Sequence, residues 1–164
     1  MTEAPGQDRV VVEDVRAYVE GLGGVLTLAP GPGDGKPELA WGDLFFYEAP
    51  DGLVPPGQPF ATVVTKDYPG EPSSGLDRPG SFRANVGASA EEFGRWAGDR
   101  GAAEPDARDV VMAHPTYAAQ RWLCVVDPGA GAWPALQELL ASAHARARAR
   151  RERREQANGG EPDG

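Results

Sequence analysis

Several residues of this chain have the types and spacing for binding or proton transfer. Lys66 and Asp67 close the apolar run Phe60–Asp67, while Arg83 and Asn85 alternate with Phe82, Ala84 and Val86 in Ser81–Gly87. Alternation of this kind puts Arg83 and Asn85 on one face of a strand and the apolar residues on the other. If the two runs pair antiparallel across Glu71–Gly80, their polar ends meet in a cationic, amide-lined pocket with Tyr47 or Trp41 as walls. The ordinary alternative is a solvated sheet face on which a Lys or Arg pairs with an Asp. His114 stands before Pro115 in a loop ahead of the last apolar run, where a side chain either orients its own loop or serves a site. Together with Asp43, Asp67 and Lys66 it could supply general acid and base groups.

Familiar catalytic motifs are missing. Gly31–Lys36 resembles a phosphate loop, but Pro37 stands where Ser or Thr is required and Pro30 takes the first glycine position. Gly21–Gly24 follows a helical pattern rather than a strand and reads as a helix stop. There is no Gly-x-Ser-x-Gly elbow. Cys124, the single cysteine, lies between Leu123 and Val125, which describes a buried, inert thiol with no disulfide and no paired metal ligand. His144, beside a leucine stripe, reads as a packed or hydrogen-bonded imidazole. The two histidines and a carboxylate show no spacing that assembles a metal site. The residues therefore assign no catalytic centre, no metal and no cofactor.

Charge is unevenly spread. The total is −9, yet six of the sixteen basic residues fall between Arg146 and Arg154. Met1–Ala145 holds ten basic residues against twenty-one acidic ones, a balance of −11. Such a body repels polyanions and anionic membranes as a whole. The arginine run reads as a solvated tail, with anion or nucleic-acid binding as its alternative. Neither a basic leader nor an apolar stretch of membrane-spanning length is present, which with the lone cysteine implies a cytoplasmic protein.

The elements follow from periodicity. Val11, Val15, Tyr18, Val19 and Leu22 form one helical face, ended by Gly23 and Gly24. Strands are expected at Val25–Ala29, at Glu38–Glu48 with a possible break at Gly42, at Phe60–Asp67, at Ser81–Gly87 and at Arg121–Asp127. Ser89 and Glu92 have capping-box spacing, so a short helix follows with Phe93, Trp96 and Ala97 on its apolar side. Gly98–Arg108 is a polar loop, and Val110–Gln120 is ambiguous because a residue before proline avoids the helical region. Pro134 opens a long helix whose seam is Leu136, Leu139, Leu140, Ala143 and Ala147. Beyond Ala147 the stripe lacks large apolar residues. The fold class is α+β: an antiparallel meander packed by an N-terminal helix and a long C-terminal helix, with one short helix between. The expected limits are a disordered stretch over 1–9, one domain over 10–150, and a basic tail over 151–164 that becomes disordered from Asn158.

Trp41-Gly-Asp43 with Phe45-Phe-Tyr47, Phe60–Gly70, Leu76–Gly80, His114-Pro-x-Tyr-Ala-Ala-Gln120 with Trp122, and Ala143–Arg146 resemble an uncharacterised bacterial family, domain of unknown function 6194. More distantly, the order of elements is similar to the YjbR-like (MmcQ-like) fold, a group for which DNA binding has been proposed. Those resemblances imply architecture more than activity. Ala118-Ala-Gln120 also offers little of the basic charge that DNA binding needs.

The residues thus point to a non-enzymatic binding or adaptor domain that uses a polar sheet face to hold a small ligand or protein partner. Its candidate residues are Lys66, Asp67, Arg83, Asn85, His114, Asp43, Trp41 and Tyr47. The alternatives are an enzyme using strand-end acids and bases, and nucleic-acid binding through the arginine-rich helix.

Overall fold

The computed structural model describes residues 9–98 and 104–159. Six strands form one sheet: β1 (Val25–Leu28), β2 (Leu44–Glu48), β3 (Ala61–Val64), β4 (Arg83–Gly87), β5 (Met112–Ala113) and β6 (Trp122–Val126). Their order is β1-β2-β3-β4-β6-β5, and every neighbouring pair is antiparallel. Helix α1 (Val12–Glu20), the short α2 (Ala90–Phe93) and the long α3 (Trp133–Gly159) complete the architecture. This is the α+β arrangement expected from the periodicity.

Alternation along the strands decides which face is sealed. Leu44, Phe46, Ala61, Val63, Ala84, Val86, Leu123 and Val125 turn to one side and bury against Val15 and Val19 of α1 and Leu136, Leu139, Leu140 and Ala143 of α3. Fully burying side chains of this size contributes roughly 1.5–3 kcal/mol each before conformational entropy is charged against them. Both ends of the helical layer are pinned. The His144 ring approaches Phe60 edge-on, and its Nε2–H donates to the Gly23 carbonyl at 2.7 Å, tying α3 to the turn that ends α1. Gly23 and Gly24 hold φ values of 94° and 64° in that turn, a region that L side chains resist. Ser89 Oγ accepts from Glu92 N–H while Glu92 Oε1 accepts from Ser89 N–H, so the capping box forms. Phe93, Trp96 and Ala97 then pack on the core, the last two within a π-helical turn at Gly94–Gly98.

Several boundaries differ from expectation for identifiable reasons. Glu38–Ala40 is a 3-10 turn rather than strand, and Gly42 at φ 89° completes the break before Leu44. The run from Phe60 stops pairing at Val64, because the Thr65 N–H turns aside to the Asp43 carboxylate. Ambiguity at Val110–Gln120 resolves into the two-residue β5, a loop at His114, and a 3-10 turn at Ala118–Gln120. Arg151–Gly159 continues α3 as helix where a basic tail was expected, stapled by Arg151 to Glu155 within α3 and to Glu48 on β2. Residues 1–8, 99–103 and 160–164, part of the expected termini and polar loop, lie outside the described residues.

Candidate functional site

The sheet face opposite the helices is covered by loops over only part of its width. One half is closed by a small second core of Val64, Leu76, Met112, Cys124 and Val126, with Tyr68 and Ala107 against it. Beside it lies a cavity of about 490 Å³. Strand register builds its floor. Phe45 stands opposite Thr62, Thr62 opposite Asn85, and Asn85 opposite Cys124, forming one row across β2, β3, β4 and β6. One step along, Arg83 faces Val64 and Val126. Tyr47, Tyr68, Tyr117 and Trp122 supply aromatic walls, with Gln58, Pro59 and Gln120 at the rim.

Arg83 is only 4% exposed. Its Nε donates to Asn85 Oδ1 at 2.8 Å and one terminal nitrogen donates to Ser74 Oγ at 2.9 Å, while Glu71 lies 3.8 Å from the other. Two of the five guanidinium N–H groups are thereby used in hydrogen bonds. Asn85 Nδ2 donates to Thr62 Oγ1, which fixes the amide with its oxygen toward Arg83 and one N–H to spare. His114, 3% exposed, receives the N–H groups of Thr116 and Tyr117 on Nδ1, each at 3.0 Å. Two donors on one ring nitrogen place the proton of the neutral imidazole on Nε2. Nε2–H has no acceptor among the described residues. Burial, with the positive charge of Arg83 nearby, pushes the His114 pKa down to about 3. At neutral pH the ring is a hydrogen-bond donor rather than a ready base.

The remaining candidate residues form supports beside this cavity. Asp43, completely buried, accepts from Thr65 N–H, Thr65 Oγ1 and the Tyr68 hydroxyl. Lys66 Nζ lies 3.6 Å from Asp43 and donates to the Leu39 and Trp41 carbonyls. Trp41 donates its indole N–H to the Lys36 carbonyl and does not line the cavity. Asp67 accepts from Ser73 Oγ, Ser74 N–H and Leu76 N–H. Although burial raises its pKa, these donors and Arg83 outweigh that and leave it lowered. Tyr68 joins the two regions, its ring in the cavity and its hydroxyl on Asp43. Burial and that carboxylate raise the phenol pKa strongly. Thus Arg83, Asn85, His114 and Tyr47 converge on the cavity, whereas Asp43, Lys66 and Asp67 hold the loops that frame it and Trp41 stands apart.

Sequence reasoning missed Phe45, Thr62, Glu71, Ser74, Tyr117 and Trp122 as parts of the site. Period-two alternation was available for Phe45 and Thr62, since Leu44, Phe46, Ala61 and Val63 define the opposite face. Tyr117, Gln120 and Trp122 sit in the same stretch as His114, but their local signal is only that of a loop and a strand start. Glu71 and Ser74 reach Arg83 through the fold of a loop, which no periodicity encodes.

Among the described residues no group of three or more His, Cys, Asp and Glu side chains is arranged to hold a metal ion. Cys124 is fully buried, and burial pushes its thiol up to about 12, with Arg83 partly opposing this. No described helix is long and apolar enough to cross a membrane. Neither a curated protein nor a solved structure matches the chain, and the resemblance to the YjbR-like fold gains no support from either. Residues 10–156 match the family of unknown function DUF6194, and over that span, nearly its whole length, the chain belongs to this family.

Proposed function

We propose that the chain is a non-enzymatic binding domain that holds a small, flat organic ligand in the cavity on the loop-covered sheet face, by an acceptor-rich head such as a carboxylate or carbonyl. The observation that carries this reading is the sign of the unused hydrogen-bonding capacity at the cavity. Arg83, the second N–H of Asn85 and His114 Nε2–H are all donors. Arg83 has the Glu71 carboxylate 3.8 Å from one terminal nitrogen, whereas the spare N–H of Asn85 and His114 Nε2–H have no acceptor among the described residues. Such donors favour a ligand that brings acceptors, because burying them against apolar groups would cost about 1–3 kcal/mol each. The aromatic walls suit a planar body.

The same contacts weigh against acid and base catalysis. Asp43, Asp67 and Lys66 spend their polar atoms on backbone and loop partners, and the basic nitrogen of His114 is occupied by two backbone N–H groups.

The test is an NMR titration of the isotopically labelled chain with benzoate and, separately, with benzylamine. Benzoate is expected to shift resonances of Tyr47, Asn85, His114, Tyr117 and Trp122, and to bind about tenfold more tightly than the amine, the effect of one good charge-assisted contact. Asn85→Leu should reduce benzoate binding while Leu53→Ala, at an exposed loop position, should not. Equal binding of both probes, or shifts scattered over the surface, would overturn the reading. So would steady turnover of a substrate that His114→Ala abolishes.

A further inference from the structure

A second, smaller cavity of about 240 Å³ lies where β2 and the Pro55–Phe60 loop meet α3. Tyr47, Gln58, Pro59, Gln120 and Trp122 line both cavities, so the same aromatic pair forms a partition between them. On the helix side the lining is Arg146, Arg150 and Arg154, spaced i, i+4, i+8 on one face of α3. Arg146 is fixed by Glu92 and Ser142, each at 2.9 Å, and by the Gly87 carbonyl at 2.8 Å. Arg150 and Arg154 make no hydrogen bond or ion pair among the described residues. Glu48, the only acid among the described lining residues, is already held by Arg151. Partial burial and the charges of Arg146, Arg153 and Arg154 lower the pKa of Arg150, so positive charge is in excess at this place. This excess sits on a chain whose overall charge is −9.

We propose that Arg150 and Arg154, aligned by the anchored Arg146, form a phosphate subsite next to the sheet-face cavity, so that the ligand class is a flat organic molecule carrying a phosphate. The inference rests in part on the binding function proposed above, which supplies the body of the ligand. Guanidinium groups match phosphate oxygens in pairs, and two free ones one turn apart can grip a single phosphate from two sides. A long polyanion fits this surface poorly. The groove is walled by a proline-rich loop, Glu48 within its lining pairs with Arg151, and Glu152 and Glu155 pair with Arg148 and Arg151.

The experiment uses the full chain with inorganic pyrophosphate as the probe, followed through arginine Nε–H and tryptophan indole resonances. Saturable shifts are expected at Arg150, Arg154 and Trp122, and in Arg150→Gln/Arg154→Gln the affinity should fall about tenfold or more. Both side chains are exposed, so an unchanged melting temperature shows that the fold persists. Absence of saturation, equal binding by the double variant, or shifts that spare Trp122 would overturn the subsite. Tighter binding of a short DNA duplex, with shifts extending to Arg148 on the far side of α3, would overturn it in favour of a polyanion surface. Pyrophosphate binding without benzoate binding would sustain the subsite while defeating the carboxylate-cavity reading, and the reverse result would defeat the subsite alone.

Discussion

Asp43 receives three hydrogen bonds at a point from which Thr65, Lys66 and Tyr68 all take their positions. Asp43→Asn presents an N–H where donors already point, and the expected loss is about 2–3 kcal/mol in urea unfolding, the usual cost of unsatisfied buried polar groups. Tyr68→Phe should cost less, about 1 kcal/mol, since Asp43 keeps its other donors. His114 gives a prediction in pH. Its folded pKa lies below the ordinary value, so its contribution is complete above about pH 6.5 and is lost as pH falls toward about 3. Between pH 6.5 and 5 the native chain should lose stability at up to about 1.4 kcal/mol per pH unit more than His114→Gln, measured as the difference in urea midpoints. Glu20, Asp67 and Glu92, whose pKa values are also lowered, add their own losses only at more acid pH.

The elements were legible where their signal is local and less so where a distant contact decides. The leucine seam of α3, the Ser89–Glu92 box and the Phe82–Val86 alternation each carry their full instruction in a few neighbouring residues, and each forms as read. The break at Gly42 was legible from the glycine itself, which stands at φ 89°, whereas the 3-10 turn at Glu38–Ala40 was not, because apolar content does not distinguish it from strand. Half of the candidate site was legible for the same reason. Arg83 and Asn85 announce their face by alternation, while the assignment of Lys66 and Asp67 to loop support depends on partners in Leu39–Asp43 and Ser73–Leu76. The start of α3 shows a device of this second kind. Asp109, at φ 58°, accepts from the N–H groups of Gly129, Gly131 and Ala132 at 2.7, 3.0 and 2.8 Å, doing from twenty residues away what an N-cap does locally. Asp109→Ala should cost about 2 kcal/mol in thermal or chemical unfolding, and Asp109→Asn about half of that, because the amide oxygen still accepts.

At the scale of the whole molecule, a carboxylate on β2 and a guanidinium near the end of the chain close the structure. Glu48 is 6% exposed and meets Arg151 in two hydrogen bonds of 2.7 and 3.1 Å. Arg151→Met leaves that carboxylate without its counter-ion and should lower the urea midpoint; adding Glu48→Gln should recover a large part of the loss, a double-mutant signature of coupling. The walls of the main cavity come from stretches around Phe45, Gln58, Tyr68, Arg83 and His114, which meet only when the sheet is complete. Occupancy and global folding are therefore one equilibrium. A compound that fills this space at a hundred times its dissociation constant would raise the unfolding free energy by about 2.7 kcal/mol. A melting curve alone can thus sort a chemical library for compounds that fit this cavity, because each one that enters it reports itself as a delay in unfolding.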